Sequence, residues 1–196
     1  MYNPKFHHRK SIRLKEYDYT NPNWYYITIC THNKEHLFGS VVNNKMKLNE
    51  YGKIAEEEWL KTKEIRKNID LDYYVIMPNH IHGIIIIEYN ENVRATRWVA
   101  PNNDLIIPID AKENGEIKRG ASQRLAPTIQ SNSLGSIIGQ FKSVYTKRIK
   151  KIGVMNTKPI WQRNYFEHII RSDNYLHRIR KYIELNPLKW QLDEYY

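Results

Sequence analysis

A chain of 196 residues is long enough for one domain with a proper core and short for two. Hydrophobic residues at 41% and charged residues at 27% are those of a globular protein, and no window approaches 18 consecutive apolar residues, which argues against a membrane-spanning helix. Thirty-one Lys and Arg against 21 Asp and Glu give a net charge of +10, which favours an anionic partner.

The 15 Tyr and 5 Trp add rings able to stack on unpaired bases, so base plus aromatic is the footprint of single-stranded nucleic acid. A basic, Tyr-rich surface with no partner fits the composition equally well. Cys30 is the only cysteine, which excludes an intrachain disulfide and a cysteine-based zinc site. The first 20 residues lack an apolar core of signal-peptide length, and the expected compartment is the cytoplasm.

Residues 1–20 form a basic arm, "HHRKSIRLKEY", without hydrophobic period. "NWYYITICTH" reads as a strand rich in aromatic and β-branched residues. "LNEYGKIAEEEWLKTKEI" reads as a helix capped by Asn49, acidic early and basic late. "LDYYVIMPNH" and "IHGIIIIEY" are two strands joined at Met77-Pro78-Asn79-His80, with Pro and Asn at the second and third turn positions.

Residues 89–132 lose all periodicity and read as a long, flexible insertion in a single domain spanning 1–196. "SLGSIIGQFKSVYTKRIKKI" is a second helix with apolar residues at 134, 137, 138, 141 and 144 and a basic opposite face. "KPIWQRNYFEHIIR" reads as a further strand, and "SDNYLHRIRKYIELNP" as a last helix capped by Ser172 and ended by Pro187. This order predicts an α+β fold: a ferredoxin-like antiparallel sheet with helices on one face, plus a C-terminal tyrosine-bearing helix.

Two positions carry chemistry. Side chains alternate along a strand, so His80 and His82 share a face, about 6.6 Å apart along it. That suits two ligands for one ion, and also two ordinary polar residues at a hairpin end. In the last helix Tyr175, Leu176, Ile179, Tyr182 and Ile183 form an apolar stripe, which Asn186 continues one turn beyond Tyr182. Taken alone, Tyr182 is a core residue. Beside the histidines, it makes a complete set: two imidazoles and an amide oxygen suit Mg²⁺ or Mn²⁺, and a phenol needs such an ion near the phosphate it attacks.

"MPNHIH" resembles the histidine motif of the single-tyrosine HUH transposases. "SIRLKEYDY", "YYITICTHN", "IIGQFKSVYTKRI", "IWQRNYFEHIIR" and "KYIELNP" resemble their REP-associated tyrosine transposase branch, from about residue 10 to 190. The resemblance implies that His80, His82 and Asn186 are metal ligands and that Tyr182 is the nucleophile. It implies nicking of single-stranded or hairpin DNA through a 5′-phosphotyrosine, by a monomer or a homodimer. Relatives often carry Gln at the third ligand, and Tyr145 stands where a non-tyrosine is expected, as a non-catalytic neighbour.

Arg9, Lys10, Arg13 and Lys15 of the arm, with Lys142, Lys147 and Arg148, are expected to contact phosphates. Glu167 and His168 fall on opposite faces of their strand, and one of them is a candidate to orient a ligand or touch DNA. The competing reading is a domesticated nucleic-acid-binding protein of the same fold that no longer cuts. An HxH metallohydrolase on a (β/α)₈ barrel is set aside because the chain is short and offers no further strand-borne ligands.

Overall fold

The computed structural model describes residues 14, 17–89, 132–153 and 159–193. The arm residues Arg9, Lys10, Arg13 and Lys15, and nearly all of the segment 89–132, lie outside the described residues.

Strands β1 (Asn23–Cys30), β4 (Ile69–Ile76), β5 (His80–Ile87) and β6 (Phe166–Ile170) form an antiparallel sheet in the order β4-β5-β1-β6. Helix α1 (Glu50–Ile65) connects toward β4, α2 (Leu134–Lys151) lies between β5 and β6, and α3 (Asp173–Leu185) follows β6. This is the expected ferredoxin-like plan with its additional C-terminal helix. Two of the three N-caps, Asn49 and Ser172, are those read from the sequence, and Ser133 is the third. Asn49 accepts from the Gly52 amide, Ser133 from Ser136 and Ser172 from Tyr175, each satisfying a backbone donor that the first helical turn leaves without an intrahelical partner.

Alternation in the strands divides the molecule into two cores. One face of the sheet carries Tyr25, Ile27, Ile29, Ile81 and Ile85 against Ala55 and Trp59 of α1 and Ile137, Phe141 and Tyr145 of α2. The other carries Tyr26, Ile84 and Ile170 against Leu176, Ile179 and Ile183 of α3. With helices on both faces, β5 is buried almost throughout, which accounts for its unbroken apolar run. Gly83 is needed there: a Cβ would lie 2.4 Å from Cζ2 of Trp59, which rests on the strand.

The structure departs from the sequence reading in two places. A hairpin of β2 (Gly39–Val42) and β3 (Lys45–Leu48) precedes α1. Its strands are four residues each, half-exposed and without an apolar run, so pattern alone misses them. The Asn43-Asn44 turn, both residues at positive φ (53° and 61°), is its one local signature. The strand expected over "KPIWQRNYFEHIIR" joins the sheet only from Phe166 to Ile170. Ahead of it Trp161 makes a single bridge to Thr31, and Asn164 at φ 69° turns the chain between the two.

Candidate active site

The site grows from the start of β5. The Met77 amide donates to His80 O at 2.8 Å, closing the Met77-Pro78-Asn79-His80 turn. In register, His82 faces Thr28 of β1, and His80 faces Cys30. Both imidazoles point to the α3 side of the sheet, with ring centroids 4.4 Å apart and exposures of 0% and 1%. They are therefore neighbours in a nearly dry site rather than polar groups at an open hairpin end.

Each ring is oriented by its Nδ1. The Asn79 side chain is fixed by its own Nδ2 donating to Lys34 O, so its Oδ1 faces His80 Nδ1 at 2.8 Å. Nδ1 of His80 thus carries the proton and Nε2 presents a lone pair. His82 Nδ1 sits between two hydroxyls, Tyr26 Oη at 2.8 Å and Thr28 Oγ1 at 2.9 Å. Burial pushes the His80 pKa down to about 4, against a partial upward pull from the Asp193 charge and the Asn186 amide. Burial, then the neighbouring His80, holds His82 well below the ordinary histidine value. Both imidazoles are neutral at pH 7, the form that ligates a metal.

Helix α3 brings the second half of the site. Its stripe of Leu176, Ile179 and Ile183 is seated on the sheet, which leaves Tyr182 at the edge of the stripe, 42% exposed. The Tyr182 ring lies 5.2 Å from His82 and 6.4 Å from Tyr26, and its Oη is 3.3 Å from His82 Nε2. Asn186, one turn on, is 2% exposed. Its Oδ1 is buried without a well-formed hydrogen bond, though Asn186 is near enough to His80 to favour the protonated imidazole. The Asn186 amide thus faces the histidines. All these groups come from one chain.

Asp193 is a residue that sequence reasoning missed. After α3, Pro187 opens a 3₁₀ helix (Pro187–Leu192), where its missing N–H costs nothing at the first position. The buried Trp190 seats this turn against the histidines, 5.9 Å from His80 and 5.6 Å from His36. The Asp193 amide donates to Trp190 O, and its Oδ2 accepts from Asn186 Nδ2 at 2.7 Å. One ligand atom each from His80, His82 and Asp193 then lie within 4.8 Å of one another. A cleft of about 300 Å³, lined by Tyr182, Leu185, Asn186, Lys189, Leu192 and Asp193, opens beside them. The only local hint was an acidic residue soon after a Pro-opened turn with a Trp.

The α2 residues have other surroundings. Helix α2 packs on the opposite face of the sheet from the histidines. Lys142 Nζ donates to Gln162 O and Asn164 O and lies over Trp161, and burial pushes its pKa down to about 8. Arg148 is bonded to Glu57 and Glu58 of α1, whereas Lys147 is exposed. Tyr145 is 0% exposed among Phe38, Phe141 and Trp161, and burial pushes its phenol pKa up, so no substrate reaches it. Glu167 is buried on the α1 and α2 side, and the exposed His168 packs on Tyr175. Neither joins the histidines.

Among the described residues no helix is long and apolar enough to cross a membrane. No family model matches the chain. An uncharacterized protein of Haemophilus influenzae is 37% identical over 195 residues, covering 100% of this chain and 97% of its own. Among solved structures, a REP-associated tyrosine transposase bound to a REP hairpin is similar in fold, with a TM-score of 0.54 at 15% identity, over 93% of this chain and 76% of its own. The chain therefore belongs to one family with the Haemophilus influenzae protein, in an architecture similar to that of the transposase.

Proposed function

We propose that this chain nicks and transfers single-stranded DNA at hairpins, in the manner of a single-tyrosine HUH transposase, through a 5′-phosphotyrosine. The observation that carries the reading is the meeting of Tyr182 Oη with His82 Nε2 at 3.3 Å, beside His80 and Asp193, with Tyr182, Asn186 and Asp193 lining the adjoining cleft. The similar transposase is bound to a hairpin, and the net charge of +10 suits the same class of partner.

The donor set fits Mg²⁺ or Mn²⁺. Octahedral bonds of about 2.1 Å space ligands about 3 to 4.2 Å apart, slightly closer than the 4.8 Å span here. Nδ1 of each histidine is engaged, which directs Nε2 inward, and the Asn186 Oδ1 is buried without a well-formed hydrogen bond. His80, His82 and Asn186 would hold the ion, which when bound supplies positive charge at the scissile phosphate.

In this reading Tyr182 Oη forms the bond to phosphorus and loses its proton. The bond to the 3′ oxygen breaks, and that oxygen takes up a proton as a free 3′-OH. The half-exposed ring of Tyr182 is open to a strand entering the cleft, while the packed stripe of α3 holds its backbone still. With Tyr182 Oη 3.3 Å from His82 Nε2 of the same chain, this reading has the tyrosine act in cis. The exposed Lys147 and the arm residues Arg9, Lys10, Arg13 and Lys15 remain candidates for phosphate contacts.

The test incubates the protein with labelled single-stranded hairpin DNA in Mg²⁺, Mn²⁺ or EDTA and resolves products on a denaturing gel. The expected result is a metal-dependent covalent adduct, lost in Tyr182→Phe and retained in Tyr145→Phe where that variant folds. Binding across a range of hairpins without any adduct would replace this reading with that of a DNA-binding protein that does not cut.

A further inference from the structure

The histidines and Asn186 are all neutral ligands, whereas Mg²⁺ and Mn²⁺ favour hard, anionic oxygen. Asp193 supplies one. Its carboxylate meets the ligand atoms of His80 and His82 within 4.8 Å. It is also held there, since Asn186 Nδ2 donates to Oδ2 at 2.7 Å and the Asp193 amide donates to Trp190 O at 3.1 Å. A carboxylate offers about four lone-pair sites, so the bond from Asn186 does not by itself use up its capacity to ligate an ion.

From this geometry we infer that Asp193 is a further, anionic ligand of the ion that His80, His82 and Asn186 would hold, with the Asn186 Nδ2 positioning its carboxylate. The inference rests on the metal reading of the histidine pair and deepens it. It also makes the site a clasp. His80 and His82 lie on β5 and Asp193 ends the 3₁₀ turn that follows the tyrosine helix, so a bound ion ties the turn and α3 to the sheet. Buried Trp190 brings the turn onto the histidines beforehand, so the ion closes an arrangement already formed.

The experiment titrates the full chain with Mn²⁺ alone, following free ion by electron paramagnetic resonance, for wild type, His80→Ala, His82→Ala and Asp193→Asn. Asparagine still accepts from Asn186 through its amide oxygen, so the variant removes the charge and keeps the contact. The expected result is a loss of Mn²⁺ affinity of tenfold or more in Asp193→Asn, and loss of measurable binding in both histidine variants. Amide exchange of residues 188–192 in wild type should slow on adding Mn²⁺, a readout that needs no variant to fold. Wild-type affinity in Asp193→Asn, with binding lost in the histidine variants and no slowing at 188–192, overturns the assignment and leaves the histidine metal site standing. Failure of the wild type to bind Mn²⁺ overturns both.

Discussion

Arg180 on α3 grips Asp72 on β4 with two hydrogen bonds, Nε to Oδ2 at 2.7 Å and Nη2 to Oδ1 at 3.1 Å. Its guanidinium also lies 5.6 Å from the Trp24 ring centroid and 5.4 Å from that of Tyr73. The pair is well shielded, with side-chain exposures of 28% and 14%, and two-point contact leaves little freedom for the helix that carries Tyr182. Hydrogen bonds to charged groups contribute about 1.5–3 kcal/mol, and solvent screening of this partly exposed pair reduces the sum, so Asp72→Ala should cost about 1–3 kcal/mol in urea denaturation. Amides of residues 173–185 should exchange faster in that variant while those of β1 do not. Unchanged exchange across α3 would show that the apolar stripe alone holds the helix.

The two hydroxyls on His82 Nδ1 make a second prediction. Tyr26 and Thr28 each reach that nitrogen, and Thr28 Oγ1 also donates to Tyr26 Oη at 3.3 Å, so either can hold the ring when the other is gone. Tyr26→Phe or Thr28→Val alone should therefore weaken Mn²⁺ binding little. The double variant should weaken it by about 10–100-fold, the usual effect of losing a ligand's outer partner. Calorimetric titration of the three variants checks this, and purely additive small losses would count against an orienting role.

Acid should loosen the fold through the same histidines. His80 titrates near 4 in the folded chain against an ordinary 6.5, because burial penalises the imidazolium. Between those values the unfolded chain binds more protons, so stability rises with pH and is lost as pH falls from 6.5 toward 4. For His80 alone the loss is on the order of 3 kcal/mol, and His82, shifted in the same direction, adds to it. Melting temperatures from pH 8 to 4 in EDTA should fall through this window, and less steeply in His80→Asn. An equal slope in that variant would place the acid sensitivity elsewhere.

The parts of the site legible in the sequence are those governed by local periodicity. His80 and His82 share a face because strand side chains alternate, and Tyr182 and Asn186 share one because they are a helical turn apart. The same periods, with Asn49 and Ser172 as caps, foretell the sheet and its helices. Asp193 was not legible, because only the folding-back of the Pro187–Leu192 turn on buried Trp190 brings it near residues of β5. A basic helix face does not reveal that the Lys142 amine is bonded to the Gln162 and Asn164 carbonyls. The pairing of Arg180 with Asp72 was hidden for the same reason, being set by how α3 crosses the sheet.

Gly83 offers a test of how tightly the strand bearing the histidines is packed. It follows His82 and points to the other face, where an added Cβ would come 2.4 Å from Cζ2 and 2.9 Å from Cη2 of Trp59. Trp59 is 0% exposed and lies against Phe141 at 5.7 Å, so it has no solvent to retreat into. Gly83→Ala should cost about 1–3 kcal/mol or more in urea denaturation, in the range of overpacking a filled core, despite the better strand propensity of alanine. Combining it with Trp59→Phe, which vacates the contacted ring atoms, should recover part of that loss, so the two changes together should cost less than their sum. Strict additivity would mean that the strand, rather than the tryptophan, gives way. In that case His82, the adjacent residue, would shift as well, and weakened Mn²⁺ binding in Gly83→Ala would report it.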